Sequence, residues 1–452
     1  MKTILSFLAI LIATYASAAI IYVSETASGA NNGTSWANAY NDLQDGLANS
    51  NAGDEIWVAA GVYYPGTTRS SSFVLLDDVK LYGGFNGTET LLSDRGNYYD
   101  FPTTLSGDIG VIDDQSDNCY HVVRTSNALG EFYMDGFYIQ YGAATSGSLN
   151  GIGGGISFQT CESATVRNCF IANNEANEGG GIHIRTSADN VSIEACVLGS
   201  NFAELGAAVY SEEAYYMESC LIAFNSCSKN GIIFDKLAAQ IVNCTIVDNL
   251  FRNDFVTDFE STASMFNSIW YNNVNSTGVV DEGVFVRRSL ISRIYEWDAI
   301  LVQYADEDPF VDRTNFHYGL LETSRAIALG DVVYTENDLD LTGSDRIQST
   351  RPDAGCLESP FVRTGCSDED AFNYDPYFEV IDNDSCTYSP LCPGDFNGDF
   401  LVNASDLLIL LSFFGDSCNI PFCGADMDGN SVTNANDLLL FLATFGNNCG
   451  GS

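Results

Sequence analysis

Acidic and amide side chains recur at a fixed spacing in two short segments near the C-terminus. In both segments they place oxygen atoms at positions 1, 3, 5, 9 and 12 of a loop, and the second segment begins 31 residues after the first. Ca²⁺ takes about six to eight hard oxygen ligands, which a loop that alternates acids before a helix supplies. The sequence therefore predicts two calcium loops, with an Asx-rich turn without metal as the alternative. The predicted ligands are Asp395, Asn397, Asp399, Asn403 and Asp406, and then Asp426, Asp428, Asn430, Asn434 and Asp437.

Each loop leads into an apolar segment, residues 407–414 and 438–445, that predicts a short helix followed by a Gly as C-cap. At position 6, where such loops usually have Gly, this chain has Phe400 and Ser431. The duplicated loop and helix resemble the calcium module of type I dockerins. The resemblance implies Ca²⁺ coordination by the ten residues above and a cohesin-like protein partner, while the residues at position 6 leave the calcium affinity open.

Cysteines flank both loops at the same distances, three residues before the first ligand and 23 residues after it. These four cysteines allow three pairings, and a unit this small needs covalent staples as well as the ion. The preferred pairs are Cys392–Cys418 and Cys423–Cys449. Upstream, Cys366 and Cys386 bracket a segment that resembles a short repeat of secreted and surface proteins from environmental bacteria. That resemblance implies a third disulfide, Cys366–Cys386, and we interpret the segment as a spacer.

The chain carries 60 Asp and Glu against 18 Lys and Arg, a formal charge of −42. A field of this sign repels phosphate, and no basic patch offsets it, which excludes nucleic acid as a partner. Residues 364–452 contain 14 of the acids and no Lys, Arg or His, so the other 46 acids and 18 bases give −28 over residues 1–363. Only the acidic tail therefore requires a counter-ion, and Ca²⁺ fits its loops.

A repeat of about 24 residues occupies the middle of the chain. Each copy has an apolar residue three before a Cys or Ser, another two after it and an Asn five after it, with spacings of 27, 24, 24 and 24 residues. Short alternating segments with Gly and Asn corners at this period predict the coils of a parallel β-solenoid. The Cys would form a buried file of small apolar side chains, and the Asn a hydrogen-bonded corner ladder. The repeated positions are Cys169, Cys196, Cys220, Cys244 and Ser268.

Gly-rich corners follow the Cys, as in Gly179-Gly-Gly-Ile182 and Gly206-Ala-Ala-Val209. With the Asn corners they resemble repeats of polymorphic outer-membrane proteins and other right-handed parallel β-helices of the pectin-lyase-like class. Residues 29–64, with an amphipathic helix over 37–48, resemble the N-terminal cap of that class, and segments between residues 308 and 358 resemble its closing segment. The implied fold is all-β: a right-handed parallel β-helix (solenoid) with an N-terminal cap, a small disulfide-rich spacer and a small α-helical calcium-loop module.

The N-terminus has the features of a secretory signal peptide. Lys2 supplies the charged start, residues 4–15 the apolar run, and Ala16-Ser-Ala18 the exit for cleavage after Ala18. The run is too short to span a membrane, and no later stretch is long enough. We therefore expect a secreted, extracellular or cell-surface protein without a transmembrane span. The predicted domains are 1–18 signal peptide, 19–360 β-helix, 361–390 spacer and 391–452 dockerin-like module.

Catalytic motifs are scarce in this sequence. Pectin-type hydrolases of this fold carry NTD, DD, GHG and RIK motifs, and the chain has no GHG and no RIK. Lyases that act on anionic sugars need Lys or Arg as base and to neutralise the carboxylate, which 4 Lys and 14 Arg in a chain of −42 supply poorly. A carboxylate pair for glycoside hydrolysis stays open, because acids are abundant. No catalytic residue is assigned.

One pair of residue columns suggests a ligand surface. His183, Tyr210 and Phe234 lie 14 residues after successive ladder Cys, and charges alternate in sign two residues further on. If both columns point outward, ion pairs that stabilise a surface are the simplest interpretation. A sugar-stacking groove on the three rings is the functional interpretation, and catalysis by His183 or Arg185 is the third. The charged column is Arg185, Glu212, Lys236 and Glu260.

Together these patterns favour a non-catalytic function. We expect a β-helix protein that acts in adhesion or binds an extracellular polysaccharide or glycan, with a calcium-dependent tail for protein docking. The alternative is a polysaccharide-degrading enzyme, a lyase or glycoside hydrolase, attached through the same tail. The absence of the hydrolase motifs favours the first function, whereas the dockerin-like tail, common on carbohydrate-active enzymes, keeps the second open.

Overall fold

The structure, a computed structural model, describes residues 18–125, 130–251, 263–275, 284–292, 298–305, 307–369, 371, 374, 378–386, 393–397, 401–415, 425–428, 430 and 432–447. The chain forms two compact units, Met1–Phe361 and Val362–Ser452. Their division falls next to the boundary expected between the β-helix and the spacer. Among the described residues, every helix is too short or too polar to cross a lipid bilayer.

Unit 1 is a parallel β-helix of four long sheets, which we call A, B, C and D, and this confirms the predicted fold class. The chain visits A, B, D and C in turn, then enters the next coil. The described strands of sheet A are Ile20–Val23, Glu55–Ala59, Lys80–Phe85, Glu131–Asp135, Ser163–Arg167, Val191–Glu194, Tyr215–Glu218, Ala239–Val242, Ser264–Phe266, Phe285–Arg287 and Asp298–Ile300. Those of sheet B are Gly61–Tyr63, Thr103–Ser106, Phe137–Gln140, Phe170–Ala172, Val197–Gly199, Leu221–Ala223, Thr245–Val247, Ile269–Tyr271, Leu290–Ile291 and Gln303–Tyr304.

Sheets C and D are shorter and complete the coil. The described strands of sheet C are Phe73–Leu75, Val123–Thr125, Ile156–Phe158, Ile182–Ile184, Val209–Ser211 and Ile233–Asp235. Those of sheet D are Ala143–Ala144, Glu175–Glu178, Phe202–Leu205, Ser226–Asn230, Leu250–Phe251 and Val274–Asn275. Inward and outward side chains alternate along each strand, and the inward face is buried. Inward residues such as Val166, Ile193 and Met217 stack at equivalent positions of successive coils.

The predicted ladders run inside the solenoid. The four Cys are fully buried and carry free thiols, and the backbone N–H of Cys196 approaches the Sγ of Cys220 at 3.4 Å. Because all four side chains are fully buried, they act as small apolar residues of the core. Along the corner between sheets B and D, Nδ2 of Asn225 donates to Oδ1 of Asn249 at 3.0 Å, as the Asn ladder requires.

A short helix packs against the first coils at the N-terminal end of the solenoid. The N-terminal helix is shorter than the expected 37–48, because a 3₁₀ turn at Trp36–Asn38 is followed by a separate helix, α1, Leu43–Ala48, that Asp42 caps. Leu43 and Leu47 of this helix pack into the core. Other 3₁₀ turns are Leu92–Asp94, Ser148–Gly151, Arg313–Asn315 and Val332–Tyr334, and a hairpin pairs Phe310–Asp312 with His317–Leu320.

The closing segment is held on the solenoid by buried charges. Carboxylate oxygens of Glu218 accept hydrogen bonds from the backbone N–H of Glu336 at 3.0 Å and from Nδ2 of Asn337 at 2.8 Å. Arg346, fully buried, pairs with Glu358 at 3.0 Å and donates to Oγ of Ser219 at 2.8 Å. Both sets of contacts attach the closing segment to a part of the solenoid that lies far from it in sequence.

Unit 2 combines short strands and two helices. Thr364–Gly365 pairs with Val380–Ile381, Asn383–Ser385 forms a 3₁₀ turn, and the disulfide Cys366–Cys386 is present as predicted. The helices are α2, Ala404–Ser412, and α3, Ala435–Thr444, which begin three residues earlier than expected. They begin earlier because Asn403 and Asn434 act as N-caps in addition to their place in the loops.

Candidate functional site

The predicted sugar-stacking column on sheet C is buried. His183 is 1% exposed and Tyr210 is 3% exposed, with their rings stacked at 4.9 Å, so the expectation that these two rings face solvent is wrong. The reason is local: a Cβ placed on Gly179 would lie 2.9 Å from that of His183, because the Gly corner folds back over the next strand. The side chain of Phe234 lies outside the described part of the structure. As folded, His183 and Tyr210 offer almost no surface to a sugar.

The charged column beside these rings contains a surface ion pair. Nζ of Lys236 lies 2.9 Å from Oε1 of Glu212 and 5.2 Å from the centre of the Tyr210 ring. Glu260 lies outside the described residues, and Arg185 donates its backbone N–H to the carbonyl of Phe158. These contacts agree with the simplest interpretation, a charge ladder that stabilises the surface.

A second cluster, on the outer face of sheet A, was not recognised in the sequence. Two neighbouring outward columns bring together aromatic, basic and acidic side chains from successive strands. Lys80 is exposed, whereas Arg167 and Glu194 are half-buried. We call this cluster the basic–aromatic face. Its members are Lys80, Tyr82, Arg95, Tyr133, Asp135, Arg167 and Glu194.

Asp135 organises the centre of the basic–aromatic face. Its Oδ1 accepts from Nη2 of Arg95 at 2.7 Å and from Nδ2 of Asn168 at 3.1 Å, and its Oδ2 accepts from the Tyr133 hydroxyl at 3.1 Å. Burial, and then the charge of Asp135, raises the pKa of Tyr133, so this hydroxyl stays a donor at neutral pH. Burial likewise raises the pKa of Tyr82 to about 12. The carboxylate thus fixes the orientation of a guanidinium and a phenol.

The remaining charges of the face surround this centre. Nζ of Lys80 lies 5.9 Å from the Tyr133 ring, and the guanidinium of Arg95 lies 5.7 Å from the Tyr82 ring. Arg167 is 3.9 Å from Glu194 on the next strand. With three cations against two carboxylates, the face keeps an excess of positive charge beside two aromatic rings. It can therefore bind an anionic sugar, because this charge attracts the sugar carboxylate and the rings cover its apolar faces. The fixed positive charges also suit the stabilisation of negative charge that develops on a uronate carboxylate.

The second predicted calcium loop brings its acids together in unit 2. Carboxylate oxygens of Asp426, Asp428 and Asp437 lie within 4.8 Å of one another. Asp437 is fully buried, and its Oδ1 accepts from the backbone N–H of Met427 at 2.7 Å, while its Oδ2 accepts from that of Asn434 at 2.8 Å. Burial raises the pKa of Asp437, but these backbone donors outweigh it and the net pKa is lowered. The loop therefore gathers carboxylate oxygens at one point.

The first predicted loop has the same internal bonding. Oδ1 of Asp406 accepts from the backbone N–H of Phe396 at 2.8 Å, and its Oδ2 accepts from that of Asn403 at 2.9 Å. Asp395 and Asn397 precede it on the described part of the loop. The other predicted ligand, Asp399, the two position-6 residues and the four flanking cysteines lie outside the described residues. The duplication predicted from spacing is thus present in the backbone.

Residues 393–443 match the family model of the dockerin type I domain. Unit 2 contains a dockerin type I domain. Dockerin domains bind calcium in general, and the donors of the second loop fit: three carboxylates converge, and residues 364–452 supply no Lys, Arg or His. Asp426, Asp428 and Asp437 would hold the ion in the second loop. Proteins that carry dockerin domains are typically extracellular, and dockerin domains bind cohesins.

The helices of the dockerin domain leave apolar side chains uncovered at matching positions. Leu408 on α2 is 69% exposed and its counterpart Leu439 on α3 is 66% exposed. Leu411 and Leu442 form a second such pair, both exposed. The inner faces pack together through Leu410 and Phe441, which are fully buried. Exposed leucines on both helices of the dockerin domain are typical of a protein-binding surface.

The β-helix has a structural relative of low sequence identity. A solved structure of pectate lyase Pel9A aligns with 76% of this chain and 97% of that chain, at 14% identity and a TM-score of 0.49. No curated protein matches the sequence. The solenoid itself follows from its parallel sheets, described above.

Proposed function

We propose that this protein is a polysaccharide-degrading enzyme that acts on an anionic, uronate-containing polysaccharide and joins an extracellular protein assembly through its dockerin domain. The observation that supports the catalytic part is the basic–aromatic face, where Lys80, Arg95 and Arg167 gather on a chain with a charge of −42. The dockerin domain supports the attachment. Adhesion, which the sequence favoured, has no support from the comparisons and stays a prediction.

The chemistry of the face favours β-elimination over hydrolysis. In β-elimination a basic side chain takes the proton next to the uronate carboxylate, a C=C bond forms, and the bond to the glycosidic oxygen breaks, so that this oxygen leaves and takes a proton from water. The negative charge that develops on the carboxylate during this step needs positive charge beside it. Lys80 and Arg167 supply that charge at the two sides of the Asp135 centre. Hydrolysis would instead need a carboxyl group that protonates the glycosidic oxygen, and Glu194 lies beside Arg167, at 3.9 Å.

The catalytic proposal is tested by the release of unsaturated uronates from a panel of pectins, alginates and glucuronans, with calcium present. We expect product from at least one of them, and a loss of about 100-fold in kcat/KM for Lys80→Ala or Arg167→Ala. Lys229→Ala is the matched control, because Lys229 forms an exposed ion pair with Glu204 on sheet D and should leave the rate unchanged.

The outcome also separates the two candidate functions. Binding of a polysaccharide without any product would favour the glycan-binding or adhesive role and would contradict the enzyme. Equal activity of the Lys80, Arg167 and Lys229 variants would place the chemistry away from the basic–aromatic face.

The docking proposal is tested by binding to a type I cohesin. We expect calcium-dependent binding that the double change Leu408→Glu and Leu439→Glu abolishes, because it places charge on both exposed helix faces. Val380→Glu, an exposed apolar residue of the spacer, is the control and should bind as the wild type does.

A further inference from the structure

A column of tight turns between sheets B and D holds its residues in the left-handed backbone conformation. Equivalent positions of six coils have φ values between 50° and 66°. Asn and Asp tolerate this conformation best, whereas a bulky aromatic residue is strained in it. Two of the positions carry an aromatic residue, Tyr141 at φ 66° and Phe224 at φ 59°. The column is Tyr141, Asn173, Ser200, Phe224, Asp248 and Asn272.

A second strained phenylalanine lies opposite Phe224. Phe316 follows the 3₁₀ turn Arg313–Asn315 at φ 63° and is 68% exposed, while Phe224 is 38% exposed. Their rings meet edge to face, with centroids 5.1 Å apart. Neither ring is needed to fill the core, because both keep much of their surface in solvent. Strain of this kind clusters at ligand-binding positions, where the surrounding structure maintains it.

The two rings border a cavity of about 290 Å³ whose other wall is polar. Asp248 accepts from Nδ2 of Asn272 at 2.6 Å and forms an ion pair with Arg313. Nε of Arg313 also donates to Asp308 at 2.8 Å, and its guanidinium lies 5.6 Å from the Tyr271 ring. Planar donors and acceptors are therefore fixed beside the aromatic rings. We call this cavity the corner groove.

We propose that the corner groove is a binding subsite for a neutral sugar residue of a polysaccharide. Apolar walls with a few fixed polar groups are typical of small-ligand sites, and the volume is at the small end of their range. A pyranose ring would stack its C–H face on one of the two phenylalanine rings and contact the edge of the other, and it would exchange hydroxyl hydrogen bonds with Asp248, Asn272 and Arg313. An anionic sugar is disfavoured, because Asp248 and Asp308 already neutralise the one cation.

The corner groove is independent of the basic–aromatic face. It lies on the turns between sheets B and D, whereas the basic–aromatic face is the outer surface of sheet A. It therefore adds a neutral-glycan contact to the protein whether or not the sheet A cluster is catalytic. On a polysaccharide matrix of mixed composition, such a contact would keep the solenoid attached to a second kind of chain.

Isothermal titration of the full chain with cellohexaose, xylohexaose, mannohexaose and tetragalacturonate tests the proposal. We expect binding of at least one neutral oligosaccharide, weakened at least about tenfold by Phe224→Asn and by Phe316→Asn. Asn suits the left-handed backbone at both positions, so each change removes a ring without harming the fold. A melting temperature equal to or above that of the wild type would verify this.

Tyr64→Asn is the matched control, since Tyr64 is an exposed ring on the first coils, far from the groove in the stack. It should bind neutral oligosaccharides as the wild type does. The proposal is overturned if no neutral oligosaccharide binds, if both Phe variants bind as tightly as the Tyr64 variant, or if tetragalacturonate alone binds and loses affinity in the Phe variants. Loss of lyase activity in the Lys80 variant, with binding at the groove intact, would separate the two sites.

Discussion

Buried carboxylates are compensated differently in the two units. In unit 1, Asp135 pairs with Arg95 and Glu358 pairs with Arg346, so the chain supplies cations to these two, while Glu218 is held by neutral N–H donors. In unit 2, Asp406 and Asp437 are equally buried, but the donors that the structure describes for them are backbone N–H groups. Residues 364–452 contain no basic side chain at all. The difference indicates that a cation from solvent stabilises unit 2, whereas unit 1 needs none for its fold.

Calcium removal should separate the two units most clearly. With a chelator present, we expect the helical circular dichroism of α2 and α3 to be lost while the β-sheet signal of the solenoid persists. Each occupied site contributes about 4 kcal/mol to stability at a calcium concentration of roughly 1,000 times Kd. Calorimetry of the full chain should show one transition that moves with calcium and one that does not. Movement of both transitions would contradict the contrast between the units.

Loss of an internal cation should destabilise unit 1 alone. Arg346→Met leaves Glu358 buried without its partner, which costs about 3–5 kcal/mol. Denaturant unfolding of the solenoid transition measures this, and the calcium-dependent transition should stay in place. Lys229→Met breaks an exposed pair instead and should cost at most about 1 kcal/mol. Equal effects of the two changes would show that burial does not matter here.

Asp235 is a buried carboxylate of unit 1 with an oxygen that has no hydrogen-bond partner in the described structure. It is fully buried, its Oδ2 has no hydrogen-bond partner, and burial raises its pKa from 3.8 to about 6. The folded state therefore holds a proton that the unfolded state has lost, so stability falls as pH rises from about 4 to above 6. Asp235→Asn should remove this fall, a gain of about 1–3 kcal/mol at pH 7. An unchanged pH profile in this variant would show that Asp235 does not cause it.

The solenoid and both loops could be predicted because each depends on local periodicity. The Cys, Asn and loop-acid spacings repeat, and a repeated unit must place equivalent residues in equivalent positions. The basic–aromatic face was missed because Lys80, Arg95 and Arg167 belong to early coils of unequal length, where no fixed spacing marks them. His183 and Tyr210 were assigned to the correct face of their strands, but the Gly corners that cover them fold back in a way that alternation does not encode.

By itself, the sequence determined the solenoid, its buried Cys and Asn ladders, the Cys366–Cys386 disulfide and the duplicated loops of the dockerin domain. Each of these follows from interactions between residues at a regular or short separation. The tertiary structure alone decided which outward side chains meet across coils, which of them stay exposed, and where Phe224 and Phe316 come together. Those outcomes depend on coil length and on turns that bring residues about 90 positions apart into contact, which no local pattern specifies.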